Sequence, residues 1–114
     1  MGGIGSVGED AALELYRRRG YRLVAKNWRC RLGEVDLIVA RDRTLVFCEV
    51  KTRRGSRFGG PFDAVTETKR RKLRSLAELF MLEHRAPAHD VRFDVASVSV
   101  GPGGPSVHLF EDAF

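Results

Sequence analysis

Gly33-Glu34-Val35-Asp36-Leu37-Ile38-Val39-Ala40-Arg41-Asp42-Arg43-Thr44-Leu45-Val46-Phe47-Cys48-Glu49-Val50-Lys51-Thr52-Arg53 is the stretch on which the fold turns. Two mostly apolar runs, 34–41 and 44–52, flank the pair Asp42-Arg43. Two residues between two such runs predict a β-hairpin. In the first run Val35, Leu37 and Val39 alternate with Asp36, Ile38 and Ala40, the period of a strand. The second run is apolar on both faces, with Leu45 and Phe47 on one and Val46, Cys48 and Val50 on the other. That pattern is expected of a central strand covered on both sides. Counting back from the turn sets Ala40 opposite Leu45, Ile38 opposite Phe47 and Asp36 opposite Glu49.

Three charges break these runs: Asp36, Glu49 and Lys51. An unpaired charge inside a core strand is costly, so each needs a reason. Glu49 and Lys51 are two residues apart and point to one face, about 7 Å apart along the strand. The hairpin brings Asp36 to the same end of that face. Two carboxylates this close repel unless a divalent cation or a neighbouring ammonium relieves them. The residues alone leave both open: a metal site, or an Asp–Lys–Glu salt-bridge network at a strand end.

Working outward, Ser6-Val7-Gly8-Glu9 has the form of a capping box, which predicts a helix over 8–19 with Ala12, Leu15 and Tyr16 facing inward. Residues 1–7 are then expected to be flexible, and Gly20 is the stop. Tyr21–Trp28 suits a strand and Arg31-Leu32-Gly33 a turn. Residues 53–64, with three Gly and one Pro, form the longest irregular stretch and are expected to be mobile. A long helix is predicted over 65–84 from Val65, Leu73, Leu76, Ala77 and Phe80, ending before Pro87. Val91–Val100 reads as a strand, Gly101–Pro105 as a turn and Val107–Phe110 as a last short strand. The order αβββαβ(β) predicts one α/β domain over 1–114, a mixed sheet flanked by helices. Leu15, Leu37, Val46, Phe47, Val50, Leu73, Leu76, Phe80 and Phe93 are the expected core.

Composition bounds the rest. The 114 residues are 43% hydrophobic and 31% charged, ordinary for a globular domain. No apolar run approaches the length of a membrane span, and the N-terminus lacks the pattern of a secretory signal. Two cysteines are too few for a disulfide framework, so a cytoplasmic setting is expected. The net charge of +5 is unevenly spread: residues 17–74 hold eighteen basic and six acidic residues, a net of +12. Two clusters dominate, Arg17-Arg18-Arg19 with Arg22, Lys26, Arg29 and Arg31, and Lys69-Arg70-Arg71-Lys72 with Arg74. Such a field suits a polyanion partner, against the plainer reading of a solvated basic face. His84, His89 and His108 show no metal-ligand spacing. Trp28, Phe58 and Phe62 are candidates to stack on unpaired bases, although Trp28 also suits a core position.

Asp36 in Gly33-Glu34-Val35-Asp36-Leu37-Ile38, with Glu49-Val50-Lys51, resembles the PD-(D/E)xK nucleases of the restriction-endonuclease-like group, which share the order helix, three-stranded meander, helix, strand. No proline precedes Asp36, a departure common in that group. Over nearly its whole length the chain resembles the YraN family of small endonuclease-like proteins. The matching residues are Gly8-Glu9-x-x-Ala12, Gly33 to Ile38, Phe47-x-Glu49-Val50-Lys51-x-Arg53, Phe58-Gly59-x-Pro61 and Val107-His108-Leu109-Phe110 with Ala113-Phe114. Archaeal Holliday-junction resolvases are a similar characterised group.

The resemblance implies a metal-dependent endonuclease that hydrolyses phosphodiester bonds in DNA, with branched DNA one candidate substrate. It implies a catalytic set of Glu9, Asp36, Glu49 and Lys51. Mg2+ or Mn2+ would be held by Asp36, Glu49 and the Val50 carbonyl, with Lys51 orienting water or stabilising the transition state. Glu9 is equally explained as a capping residue. Arg53, Arg54, Arg57, Lys69, Arg70 and Arg71 are the expected phosphate contacts. A junction-cutting enzyme is expected to be a homodimer. Two other readings stand beside this one: a nucleic-acid-binding module that does not cut, and an adaptor that binds a protein through its basic block.

Overall fold

The computed structural model describes residues 4–55, 66–84 and 90–113. Its elements are α1 (Ile4–Arg18), β1 (Arg22–Cys30), β2 (Gly33–Arg41), β3 (Thr44–Arg54), α2 (Glu67–Glu83), β4 (Asp90–Gly101) and β5 (Gly104–Phe110). The strands form one sheet in the order β1-β2-β3-β4-β5. β3 and β4 are parallel and every other neighbouring pair is antiparallel. A parallel pair needs a long crossover, and the segment carrying α2 supplies it. The protein is thus a mixed α/β fold.

The hairpin register is the one the turn count predicts: Ala40 pairs with Leu45 and Ile38 with Phe47. Asp42 takes a left-handed φ of 53°, which a short polar side chain tolerates in a tight turn. Pairing between β2 and β3 stops at Leu37 and Cys48, although both strands run on. Beyond that point the Val50 N–H donates to the Asp36 carboxylate, Oδ2, at 2.8 Å. A side chain therefore takes over where the backbone ladder ends.

Each face of the sheet buries one helix. On one, Ala12, Leu13 and Tyr16 of α1 pack on Leu37, Val39, Val46, Cys48 and Ala96. On the other, Leu73, Leu76, Ala77 and Phe80 of α2 pack on Val35, Ile38, Ala40, Leu45 and Phe47. Burying a side chain such as Leu76 or Phe80 contributes about 1.5–3 kcal/mol. Phe80 also meets Trp28 edge-on at 5.2 Å and Phe47 at 5.8 Å.

Several expectations are corrected. α1 begins at Ile4 rather than residue 8, so Ser6 lies inside the helix and Glu9 is not its capping partner. No proline stands in 4–7 to stop the winding, and a Ser-x-x-Glu spacing fits a helix interior as well as a cap. Leu13, not Leu15, completes the buried stripe of α1, and Leu15, Val50 and Phe93 are half-buried. Val35 joins the α2 side rather than Leu37 and Val39, at the point where β2 leaves the β3 ladder. The last hairpin turns on Pro102-Gly103 alone, because Gly101 and Gly104 already pair. Gly20 does end α1: its φ is +89°, and Tyr21 N–H donates to Tyr16 O and Gly20 N–H to Arg17 O, each at 3.0 Å. Most of the irregular stretch, with Val65, Pro87 and His89, lies outside the described residues. No described helix is long and apolar enough to cross a membrane.

Candidate active site

β2, β3 and the first half of α2 enclose a cleft of about 230 Å³ lined by Glu34, Asp36, Glu49, Lys69, Lys72, Leu73 and Leu76. Local structure explains each position. Asp36 is the first residue of β2 past the paired ladder, and the Val50 amide holds its carboxylate. Glu49 points from the central strand toward α2 and is only 9% exposed. Lys69 stands in the first turn of α2, where the Thr66 side chain caps the helix by accepting from the Lys69 N–H at 3.1 Å. That cap leaves the Lys69 ammonium free to cross to the sheet. It meets Glu49 Oε2 at 2.5 Å, while Lys51 reaches the same oxygen at 3.2 Å.

The electrostatics follow from this crowding. Burial pushes the Asp36 carboxyl up from its ordinary 3.8 to about 6; the Val50 N–H opposes the rise, while the charges of Glu49, Glu9 and Glu34 add to it. The neighbouring Lys69 ammonium, then burial, lower the pKa of Lys51. Burial works against the Lys69 ammonium too, but Glu49 and Lys51 outweigh it, and its pKa is raised.

Asp36, Glu49 and Lys51 are therefore brought to one end of the hairpin; the ion pairs gather on Glu49, from Lys51 and Lys69, while Asp36 is held by the Val50 N–H instead. Glu9 is not in the cleft lining. It accepts from Asn27 Nδ2 at 3.0 Å, close enough for its charge to weigh on Asp36. Asn27 lies across from Asp36 in the β1–β2 register and has a left-handed φ of 52°. An Asn in the middle of a strand pattern is the one sequence signal that pointed to it. Val50 enters the site through its N–H, and its side chain packs toward α1.

Arg53 and Arg54 are exposed at the end of β3, and Arg57 lies outside the described residues. Arg70 is half-buried, and Arg71 is exposed and pairs with Glu67 at 3.6 Å. Trp28 is packed on Phe80, which spends its ring on the core, while Phe58 and Phe62 fall outside the described residues. Lys72 and Glu34, absent from the expected site, line the cleft. A larger cleft of about 300 Å³ between α1 and β5 shows no such meeting of carboxylates.

Among the described residues no three His, Cys, Asp or Glu side chains form a metal-ligand group. The donor chemistry still fits a hard divalent cation. Two carboxylates, Asp36 and Glu49, line one cleft, and Mg2+ commonly takes one or two protein carboxylates and fills its remaining positions with water and phosphate.

A second buried carboxylate serves the fold. Asp94 is fully buried and accepts from Tyr16 OH at 2.6 Å, from Arg92 Nε and Nη2 at 2.9 Å each, and from Asp112 N–H at 2.9 Å. It ties α1, β4 and the turn after β5 to one side chain. Its partners are remote in sequence, which hides it from a local reading.

A mixed sheet with one helix on each face, and Asp36, Glu49 and Lys51 at the opening of its central hairpin, defines a restriction-endonuclease-like α/β protein. The chain belongs to the Uncharacterised protein family UPF0102, the YraN family, whose sequence profile matches residues 8–98. It is 50% identical to a UPF0102 protein of Nocardia farcinica over 100 residues, covering 88% of this chain and 79% of the relative. A UPF0102 protein of Symbiobacterium thermophilum is 46% identical over 112 residues, covering 97% and 95%. One from Caldicellulosiruptor saccharolyticus is 41% identical over 113 residues, covering 97% and 96%.

Proposed function

We propose that this protein is a divalent-metal-dependent nuclease that hydrolyses phosphodiester bonds in DNA, branched DNA included. One observation carries the reading: two carboxylates that repel each other, Asp36 and Glu49, share one cleft with Lys69 and Lys72, and Lys51 pairs with Glu49 at 3.2 Å. A surface that only binds phosphates has no use for carboxylates aimed at them.

Asp36 and Glu49 would hold Mg2+ or Mn2+, which when bound supplies positive charge at the phosphate and acidifies water. The chain's own groups do the rest. The Val50 N–H fixes the Asp36 carboxylate in orientation. Lys51, on the same face as Glu49, stabilises the charge that develops on the phosphoryl oxygens. Arg53 and Arg54 lie next along β3, where they contact flanking phosphates. Glu9, steadied by Asn27, adds negative charge behind Asp36. Cutting two strands symmetrically calls for two copies of the chain.

A gel assay tests this. Linear duplex, single-stranded and four-way-junction DNA are incubated with protein and Mg2+, Mn2+ or EDTA, beside Glu49→Ala and Lys51→Ala. The expected result is metal-dependent cleavage by wild type and its loss in both variants. DNA binding without cleavage, equal in wild type and variants, would replace the reading with a non-catalytic binding module. No salt-sensitive DNA binding at all would point to a protein-binding adaptor.

A further inference from the structure

Lys51 and Lys69 share one oxygen, Glu49 Oε2, yet they are held differently. Lys51 sits two residues from Glu49 on the same strand, so its backbone stays beside that carboxylate. Lys69 reaches across from α2 on a long flexible stem, and its side chain is 33% exposed. Its helical turn is fixed through its backbone N–H on Thr66, so its ammonium can leave without disturbing the helix.

Charge balance says when it would leave. Asp36, Glu49, Lys51 and Lys69 together sum to zero. A divalent cation on the two carboxylates would cancel their charge and leave the charges of the two lysines uncompensated. Of these, Lys69 makes the closer contact with Glu49, 2.5 Å against 3.2 Å, and comes to it from another element. We propose that Lys69 is the built-in counter-ion of this site: it occupies Glu49 in the metal-free protein, gives up that carboxylate to a divalent cation, and is thereby freed to meet the phosphate. The inference rests on the metal-dependent reading above and adds to it a competition between a lysine and the metal for one carboxylate.

The test uses Mn2+ alone as the probe, with free Mn2+ followed by electron paramagnetic resonance as it is titrated into the EDTA-stripped full chain. Four proteins are compared with wild type: Lys69→Gln, Lys69→Arg, Lys72→Gln and Glu49→Gln. Lys72 lines the same cleft one turn further along α2, so its replacement removes a like charge without vacating Glu49. Lys69→Gln is expected to tighten Mn2+ binding roughly tenfold, the scale on which groups behind a metal ligand move affinity. Lys69→Arg is expected to stay near wild type, Lys72→Gln to change affinity by less than about twofold, and Glu49→Gln to lose binding. Wild-type binding that Lys69→Gln leaves unchanged overturns the counter-ion role and spares the nuclease reading. Equal tightening by Lys69→Gln and Lys72→Gln also overturns it, because the effect is then a general field. Failure of both wild type and Lys69→Gln to bind Mn2+ removes the metal site and the proposal together.

Discussion

The carboxyl of Asp36 should cost the metal-free protein stability, and the cost should depend on pH. Its folded-state pKa is raised from 3.8 to about 6. The folded protein therefore holds the Asp36 proton more tightly than the unfolded chain. Below about pH 3.8 the side chain is neutral in both states and contributes no penalty. As pH rises toward 6 the unfolded chain has released the proton and the folded one has not, so stability falls, and the full penalty is present above that range. A rise of this size corresponds to about 3 kcal/mol at 1.36 kcal/mol per pH unit. Asp36 is only half-buried, and solvent screening reduces the figure to about 1–2 kcal/mol. Asp36→Asn keeps an oxygen for the Val50 N–H and removes the charge. In EDTA at pH 8 it should raise the melting temperature by roughly 4–8 °C for a domain of this size. The gain should shrink to nothing toward pH 4. Thermal unfolding of both proteins from pH 4 to 8, with the difference taken at each pH so that shared titrations cancel, is the measurement. A variant no more stable than wild type at pH 8, or a gain that persists unchanged at pH 4, would refute the reasoning.

Three further outcomes are expected. Asp94→Ala removes the acceptor shared by the Tyr16 hydroxyl, the Arg92 guanidinium and the Asp112 N–H, and urea unfolding should show a loss of about 3–5 kcal/mol. Gly8→Ala places a methyl against Thr52 where α1 crosses β3, which should cost about 1–3 kcal/mol in the same assay. Thr52→Ala in that background should recover part of the loss, a coupling that a double-mutant cycle measures. Glu49→Gln should retain its far-ultraviolet circular dichroism while metal-dependent cleavage falls by about a hundredfold or more, the scale of losing one transition-state contact.

Much of the fold was legible, and the reasons are local. The hairpin register follows from a two-residue turn and a period of two, both of which lie within twenty residues. The Asp36, Glu49 and Lys51 grouping follows from that register alone. What escaped was set by distance or degeneracy. Ser6 and Glu9 stand at a spacing that caps a helix or lies inside one, and the sequence does not say which. Leu13 and Leu15 flank the same stripe, and only the sheet beneath α1 decides which is covered. Lys69 read as one member of a basic run with a phosphate to meet. Its engagement with Glu49, twenty residues earlier, exists only once α2 has folded back over β3. Asp94 lies within the predicted strand Val91–Val100, and nothing local marks it out, because its partners at 16 and 112 arrive from other elements.

The Asp94 network also bears on the order in which the molecule can be assembled. Tyr16 and Asp94 are 78 residues apart, and Asp112 closes the set from beyond β5. During synthesis α1 emerges first and can wind, but Ala12, Leu13 and Tyr16 face solvent until β3 and β4 exist to receive them. The β1–β2–β3 meander can zip early from its short turns, whereas the parallel β3–β4 pairing must wait for the whole crossover. The oldest helix is thus among the last elements to be secured. Completion of the core is a late, long-range event, and a nascent chain halted before β4 would carry an apolar helix face that other polypeptides can reach.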